Sequence, residues 1–304
     1  MRPNRWTLRR WAKRALVRIA SNRSYGAASR VVVLCYHSVH PNNPIATVSP
    51  QLFEEHLEWL SENCDVIPFS KVVDAVRPPR QPRPTVSITF DDGYADNYTY
   101  AFSLLAKWKL PATFFITAGL ADKDDRILER FRSFYGVSAD DVAPMGWGEL
   151  REMAESGFEI GAHTFSHPNL ARLEKGELEA EITRSKEIIE QQLERPVTVM
   201  AYPFGLPRAH LNADVTAAVK EAGYQSAAAV LYRPVHPDDD PFAIPRFFVK
   251  RDAAATLRLK VLGGFDIVAA WQRRAPLSLG RLITPEYFGS GDWVRRHGVR
   301  TSPD

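Results

Sequence analysis

Apolar, β-branched runs alternate with helix-like segments from Val31 to Val249, and this alternation constrains the fold more than any other feature. Val31–Tyr36, Cys64–Ile67, Thr85–Phe90, Ala112–Thr117, Phe158–Ala162, Val197–Tyr202, Gln225–Ala229 and Arg246–Val249 read as strands. Ser49-Pro50 opens the first helix, with Ser as N-cap and Pro at the first helical position, and Leu52, Phe53, His56, Leu57, Trp59 and Leu60 supply its apolar side. Ser70–Val76, Asp96–Leu110, Trp147–Glu155, Leu173–Leu193 and His210–Ala222 are the remaining predicted helices. Such repetition predicts a parallel sheet flanked by helices and suits a barrel. The proline-rich run from Arg77 to Pro84 is a stiff connector, because Pro removes donors and restricts its neighbours.

Chemistry-bearing residues fall at the ends of these strands. Thr85–Phe90 runs directly into Asp91-Asp92-Gly93. Two anionic side chains closing a buried strand repel each other and are costly to desolvate, so a bound cation is the expected compensation. Gly161-Ala162-His163-Thr164-Phe165-Ser166-His167-Pro168 adds two imidazoles four residues apart, again just after an apolar run. One Asp and two His make a three-ligand metal site with open positions, and the spare carboxylate is free to act as a base.

These residues, together with Val197-Thr198-Val199-Met200-Ala201-Tyr202-Pro203-Phe204-Gly205, resemble the polysaccharide deacetylase family (carbohydrate esterase family 4, the nodulation-factor deacetylase homology domain). The resemblance runs from about Val31 to Val249; its first two motifs match closely and the third in part. It implies an α/β fold, a distorted or incomplete (β/α) barrel of about seven parallel strands, whose chemistry lies at the carboxyl ends of the strands. It also implies Asp92, His163 and His167 as ligands of one divalent ion, Zn with Co, Ni or Fe as alternatives, and Asp91 as general base. Tyr202, Pro203 and Phe204 form the expected oxyanion and substrate-binding turn, with the Phe204 N–H as donor.

Two departures matter. The family's Arg two residues before the motif-three Pro is Ala201 here, so the group that would orient Asp91 is missing from that position. Arg246, in Ile244-Pro245-Arg246-Phe247, is the candidate substitute, with a structural ion pair as its other reading. The family's Leu-x-His motif, source of the general acid, is absent as well. His37, in Cys35-Tyr36-His37-Ser38-Val39, is the replacement: the chain resembles a subgroup with a Tyr-His-x-Val/Ile sequence on its first strand that acts on N-acetylglucosamine-containing glycans. His236 is the fallback, and His40, His56, His210 and His297 read as surface or structural.

The expected function is metal-dependent removal of N-acetyl groups from N-acetylhexosamine-containing glycans or lipid-linked precursors. An O-acetyl polysaccharide esterase and a non-catalytic glycan-binding homologue are the alternatives. Residues 31–250 are the expected catalytic domain, between a basic arm (1–30) and a C-terminal extension (251–304). Residues 1–30 hold nine Arg or Lys and no acid, leaving 30 basic against 36 acidic residues in the rest, a net of −6. That arm reads either as a helix lying on an anionic membrane surface, through Leu8, Trp11, Ala15 and Ile19, or as a solubilising tail or mis-assigned start. It has no continuous apolar core of a secretory signal, and the chain has no run of the ~18–20 apolar residues a membrane span needs, so the expected location is cytoplasmic or peripheral to the inner membrane face. No basic-aromatic stripe points to nucleic acid. Cys35 and Cys64 read as buried, reduced thiols. Residues 119–146 read as an inserted surface segment, a lid carrying Phe131, Phe134 and Tyr135 or a plain loop.

Overall fold

The computed structural model describes residues 30–42, 47–79, 81–135 and 143–266. Eight strands form its sheet: β1 (Val31–Tyr36), β2 (Asp65–Val66), β3 (Thr85–Phe90), β4 (Thr113–Ile116), β5 (Glu159–Ala162), β6 (Val199–Ala201), β7 (Ser226–Ala228) and β8 (Phe247–Phe248). Seven run in the order β7-β6-β5-β4-β3-β1-β8, β2 pairs with the start of β3, and every ladder among the described residues is parallel. Helices follow the strands, as a curled, incomplete (β/α) barrel requires.

The segment before β8 draws the two edges of this sheet together. Ile244 exchanges backbone hydrogen bonds with β7, donating to the Ala227 carbonyl (2.9 Å) and accepting from the Ala229 N–H (2.8 Å). Three residues later Phe247 is level with Leu34 of β1, and the Val249 N–H donates to the Cys35 carbonyl (2.8 Å).

Strand alternation sorts the core into two sets. Val32, Leu34 and Tyr36 of β1, Val86, Ile88 and Phe90 of β3, and Phe114 and Ile116 of β4 pack outward against the helices. Tyr36, Phe53, Phe90 and Phe114 form a continuous aromatic stack there, with centroids 4.7–5.6 Å apart. Val31, Val33, Phe115, Val199, Ala201, Ala228 and Ile244 make the second, inner set. Gly161 belongs with them by necessity, since a Cβ there would lie 2.6 Å from the Phe115 ring. The same inward parity continues through Ser87, Thr89 and Asp91 on β3, all buried, so the inner face becomes polar toward the carboxyl ends.

The helix Pro50–Asn63 starts where the sequence places it, with the Ser49 side chain accepting from the Leu52 N–H (3.2 Å). The predicted Asp96–Leu110 helix differs: it opens as a π-helical turn (Asn97–Phe102) before the α-helix Ser103–Trp108. Residues 119–135 are not a surface insertion. They form the helices Ala118–Ala121 and Asp125–Tyr135, and Leu120, Ala121, Ile127, Leu128 and Phe131 are buried in the core. Their apolar positions recur at helical spacing, which a reading centred on the Asp122–Arg126 charges overlooks. Beyond β8, the helix Ala254–Leu262 buries Leu257 and Val261 in the main core. Arg30 donates to both carboxylate oxygens of Asp266 (2.6 and 2.8 Å), joining the two ends of the described body. The basic arm up to residue 29, the Phe134 and Tyr135 side chains and His297 lie outside the described residues. No described helix is long and apolar enough to cross a membrane.

Candidate active site

A regular strand would send Asp91 and Asp92 to opposite faces. Asp91 keeps the inward parity of β3, and Asp92 breaks it by adopting a left-handed conformation (φ 77°). Its Oδ1 then lies 3.5 Å from His163 Nε2 and 3.4 Å from His167 Nε2. Thr164 (φ 65°), His167 (φ 58°) and Phe204 (φ 60°) are also left-handed, so four non-glycine residues with positive φ gather at one end of the barrel. Such conformations cost energy and persist where surrounding structure enforces them, characteristically at functional sites.

The His163 ring has a defined tautomer. Its Nδ1 lies 2.7 Å from the Ala201 carbonyl, which accepts only, so Nδ1 carries the hydrogen and Nε2 turns a lone pair toward the Asp92 carboxylate. Neither oxygen of Asp92 has a hydrogen-bond partner of normal geometry, although the residue is 1% exposed. Burial pushes its carboxyl up to about 6, with Asp91 adding repulsion and the Tyr94 side chain opposing. Two imidazole nitrogens, one of them turning a lone pair, brought against a buried carboxylate with no donor at normal geometry call for a cation between them. The separations suit one: two donors each ~2.1 Å from a common tetrahedral ion are about 3.4 Å apart. The donor atoms of Asp92, His163 and His167 all lie within 4.8 Å of one another, and a mixed N/O set of this kind fits a divalent metal.

Asp91 sits beside this group in a different environment. Arg246 Nη1 donates to its Oδ1 (2.7 Å) and Nη2 to its Oδ2 (2.8 Å), a bidentate pair with both residues buried. Burial alone would raise the Asp91 carboxyl, but the Arg246 guanidinium outweighs it and holds the group below the usual carboxylate range. Arg246 projects along the inner face from the closing segment, touching Thr89 Oγ1 (3.3 Å) on the way, and so reaches Asp91 without the motif-three position that Ala201 occupies.

His37 extends from the carboxyl end of β1 into the same neighbourhood: one donor atom each of Cys35, His37 and Asp91 lie within 4.8 Å of one another. The His37 ring packs on Phe248 (4.8 Å). Burial lowers its pKa, and the nearby Asp91 opposes that shift. Cys35 Sγ donates to Asp91 Oδ2 (3.5 Å), and burial keeps the thiol protonated. His236, the fallback proton donor, is at the wrong end: it follows Val235, which pairs with Val31 at the start of β1.

Phe204 borders the histidines, its ring 4.8 Å from His167 and 5.1 Å from His210. Tyr202 belongs to the frame instead. Its N–H donates to the Ala228 carbonyl (3.1 Å) and its hydroxyl to the Phe242 carbonyl (2.9 Å), while Pro203 has no N–H to offer. Glu181, in the helix Lys175–Leu193, was not singled out by sequence reasoning. It accepts from the Phe165 N–H (3.1 Å), the Ser166 N–H (2.8 Å) and the Ser166 hydroxyl (2.5 Å), fixing the loop that carries His167. On a charged helix one Glu resembles the next, so no local signal marks it.

Comparisons with known proteins bear on the family and the fold. Residues 79–227 match the polysaccharide deacetylase family. The chain is 27% identical over 199 residues to YxkH of Bacillus subtilis (strain 168), covering 65% of this chain and 63% of that protein. It is 27% identical over 217 residues to the poly-beta-1,6-N-acetyl-D-glucosamine N-deacetylase of Staphylococcus aureus (strain MRSA252), covering 68% and 69% respectively. The aligned region thus spans about two thirds of each relative. Among solved structures, the Streptococcus pyogenes deacetylase PplD in complex with acetate superposes with a TM-score of 0.65 at 21% identity, over 77% of this chain and 99% of that one. IcaB from Ammonifex degensii gives 0.58 at 24%, over 80% and 97%. At these identities the structural matches establish the fold.

Proposed function

The chain belongs to the polysaccharide deacetylase family, and from that premise we propose that it hydrolyses N-acetyl groups of N-acetylhexosamine-containing glycans with a divalent metal held by Asp92, His163 and His167. The observation that carries this reading is the contrast between two adjacent carboxylates: Asp92 faces two imidazoles with no hydrogen-bond donor at normal geometry, while Asp91 is clamped by Arg246. Zinc suits the set, and cobalt, nickel and iron share its preference for imidazole and carboxylate.

When bound, the metal supplies Lewis acidity toward the acetyl carbonyl and the attacking water. Asp91 takes the proton of that water. Arg246 holds one lone pair on each of its oxygens and fixes its orientation, Cys35 takes a second on Oδ2, and a lone pair of Oδ1 is left for the proton. The Phe204 N–H stabilises the oxyanion, and His37, once protonated, donates to the departing amine. Polymers of N-acetylglucosamine are the substrate class we favour, because the staphylococcal relative is named for such a polymer. Lipid-linked precursors, and membrane contact through residues 1–30, extend the same proposal.

Amine release from acetylated glucosamine oligomers tests it. Chelation is expected to abolish release and a divalent ion to restore it; undiminished release after thorough chelation overturns the reading. His37→Ala is expected to slow amide hydrolysis by ~10²-fold or more while leaving an aryl acetate ester, whose leaving group needs no proton, much less affected. Equal losses on both substrates would remove His37 from the acid role.

A further inference from the structure

The chain leaving β1 has no regular structure around His37, yet buried groups hold its backbone at successive residues. The His37 N–H donates to Thr47 Oγ1 (3.2 Å), and its carbonyl accepts from Asn97 Nδ2 (2.7 Å). Thr47 Oγ1 donates to the Ser38 carbonyl (2.7 Å). Ser38 Oγ donates to Asp96 Oδ2 (2.5 Å), and the Val39 N–H donates to Asp96 Oδ1 (3.1 Å). Asn97 Nδ2 also donates to Asp96 Oδ1 (2.9 Å), which ties the two side chains together.

Asp96 and Asn97 come from the turn just after Asp91-Asp92-Gly93, so the network links the backbone of one motif to that of another. Ser38 and Asn97 are fully buried, and Thr47 and Asp96 nearly so. The amide of Asn97 has one workable orientation, because reversing it would set Oδ1 against two oxygens. Its Oδ1 is buried without a partner, a cost accepted to keep both donors in place. Asn97 also begins the π-helical turn, a distortion that recurs where a helix is adapted to a site. The hydrogen bonds of this network go to the backbone of residues 37–39, while the imidazole meets Cys35, Asp91 and Phe248.

We propose that Asp96 and Asn97 are positioning residues that clamp the backbone of residues 37–39 and thereby set the His37 ring against Asp91. The inference rests on the assignment of His37 as proton donor. Its cost of failure is geometric, since displacing a reacting group by ~1 Å loses about 10²-fold in rate.

The test uses the full chain loaded with metal, with metal content measured for every variant. Asn97→Ala is expected to lower kcat for amine release about tenfold with KM within about twofold, and to spare the aryl acetate ester. Combined with His37→Ala it is expected to cause no further loss, because both changes disable one unit. Thr47→Val, close in shape, removes the opposite grip and is expected to show the same substrate pattern should Asn97→Ala fold poorly. If His37→Ala selectively impairs amide hydrolysis but neither Asn97→Ala nor Thr47→Val does, the clamp alone is overturned. If His37→Ala spares amide hydrolysis, the clamp and the assignment of His37 fall together. Additive losses in the double variant, with metal retained, overturn the clamp as well.

Discussion

Asp92 pays for its position in the metal-free protein. Both of its oxygens are buried without a normal hydrogen-bond donor, and burial raises the carboxyl to about 6. A carboxyl raised from the ~3.9 of the unfolded chain binds its proton more tightly when folded. Chelated protein therefore loses stability as pH rises from about 4 through 6, by about 3 kcal/mol in all. Asp92→Asn removes that penalty. Urea unfolding of the chelated proteins is expected to show the variant more stable near neutral pH, by up to about 3 kcal/mol, with the difference vanishing toward about pH 4. Metal titration is expected to show the reverse order, the variant binding far more weakly. An unchanged metal affinity would remove Asp92 from the ligand set.

At the scale of elements, the loop carrying His167 is held from several sides: the Ala118 and Gly119 N–H groups donate to the Thr164 and Phe165 carbonyls (3.1 and 2.8 Å), Arg130 donates to the Ser166 carbonyl, and one helix supplies a carboxylate. Glu181 satisfies two backbone N–H groups and one hydroxyl of that loop from the helix Lys175–Leu193. Glu181→Ala leaves the Ser166 N–H and hydroxyl without their acceptor, the Phe165 N–H keeping the backbone carbonyl of residue 181 (3.2 Å), while the helix keeps Leu178, Ile182, Ser185, Ile189 and Leu193 buried. Helix content is expected to persist while metal affinity falls ~10–100-fold, the usual consequence of losing an outer support. Competition with a chelator reads that change directly; full affinity in Glu181→Ala would show that the contacts from Ala118, Gly119 and Arg130 hold the loop without the carboxylate.

Across the whole molecule, a buried polar chain ties the C-terminal helix to the barrel. Lys260 donates to the Phe248 carbonyl (2.6 Å) and pairs with Asp252, whose carbonyl accepts from His56 Nε2 (2.8 Å). His56 Nδ1 meets the Tyr36 hydroxyl (3.1 Å), so a neutral ring satisfies both neighbours. Burial pushes His56 down to about 4, with Lys260 adding to the shift and the Asp252 carbonyl opposing it. Between the unfolded value of ~6.5 and the folded one the unfolded chain binds the extra proton, so this contribution is full above about pH 6.5 and lost as pH falls toward 4, about 3 kcal/mol in all. His56→Gln is expected to flatten that acid limb of a stability–pH profile of the metal-loaded protein. A limb unchanged by the substitution would place the acid sensitivity elsewhere.

Order along the chain, the strand boundaries to within a few residues and the Ser49 cap were legible because periodicity, turn residues and capping are local properties. The motif ends were legible too: Asp91, Asp92, His163 and His167 each follow a recognisable strand, and parallel strands bring their carboxyl ends to one side of a barrel. Contacts between distant residues were not. That Arg246 reaches Asp91, that Asp96 and Asn97 grip the chain after β1, and that Phe131 packs inside the core depend on how far the sheet curls and which side chains meet across it. Nothing in the neighbouring sequence records those distances. The protein's sequence by itself determined which groups stand at the ends of its strands; only the tertiary structure decided which of them meet, because curvature and packing are set by all the strands together.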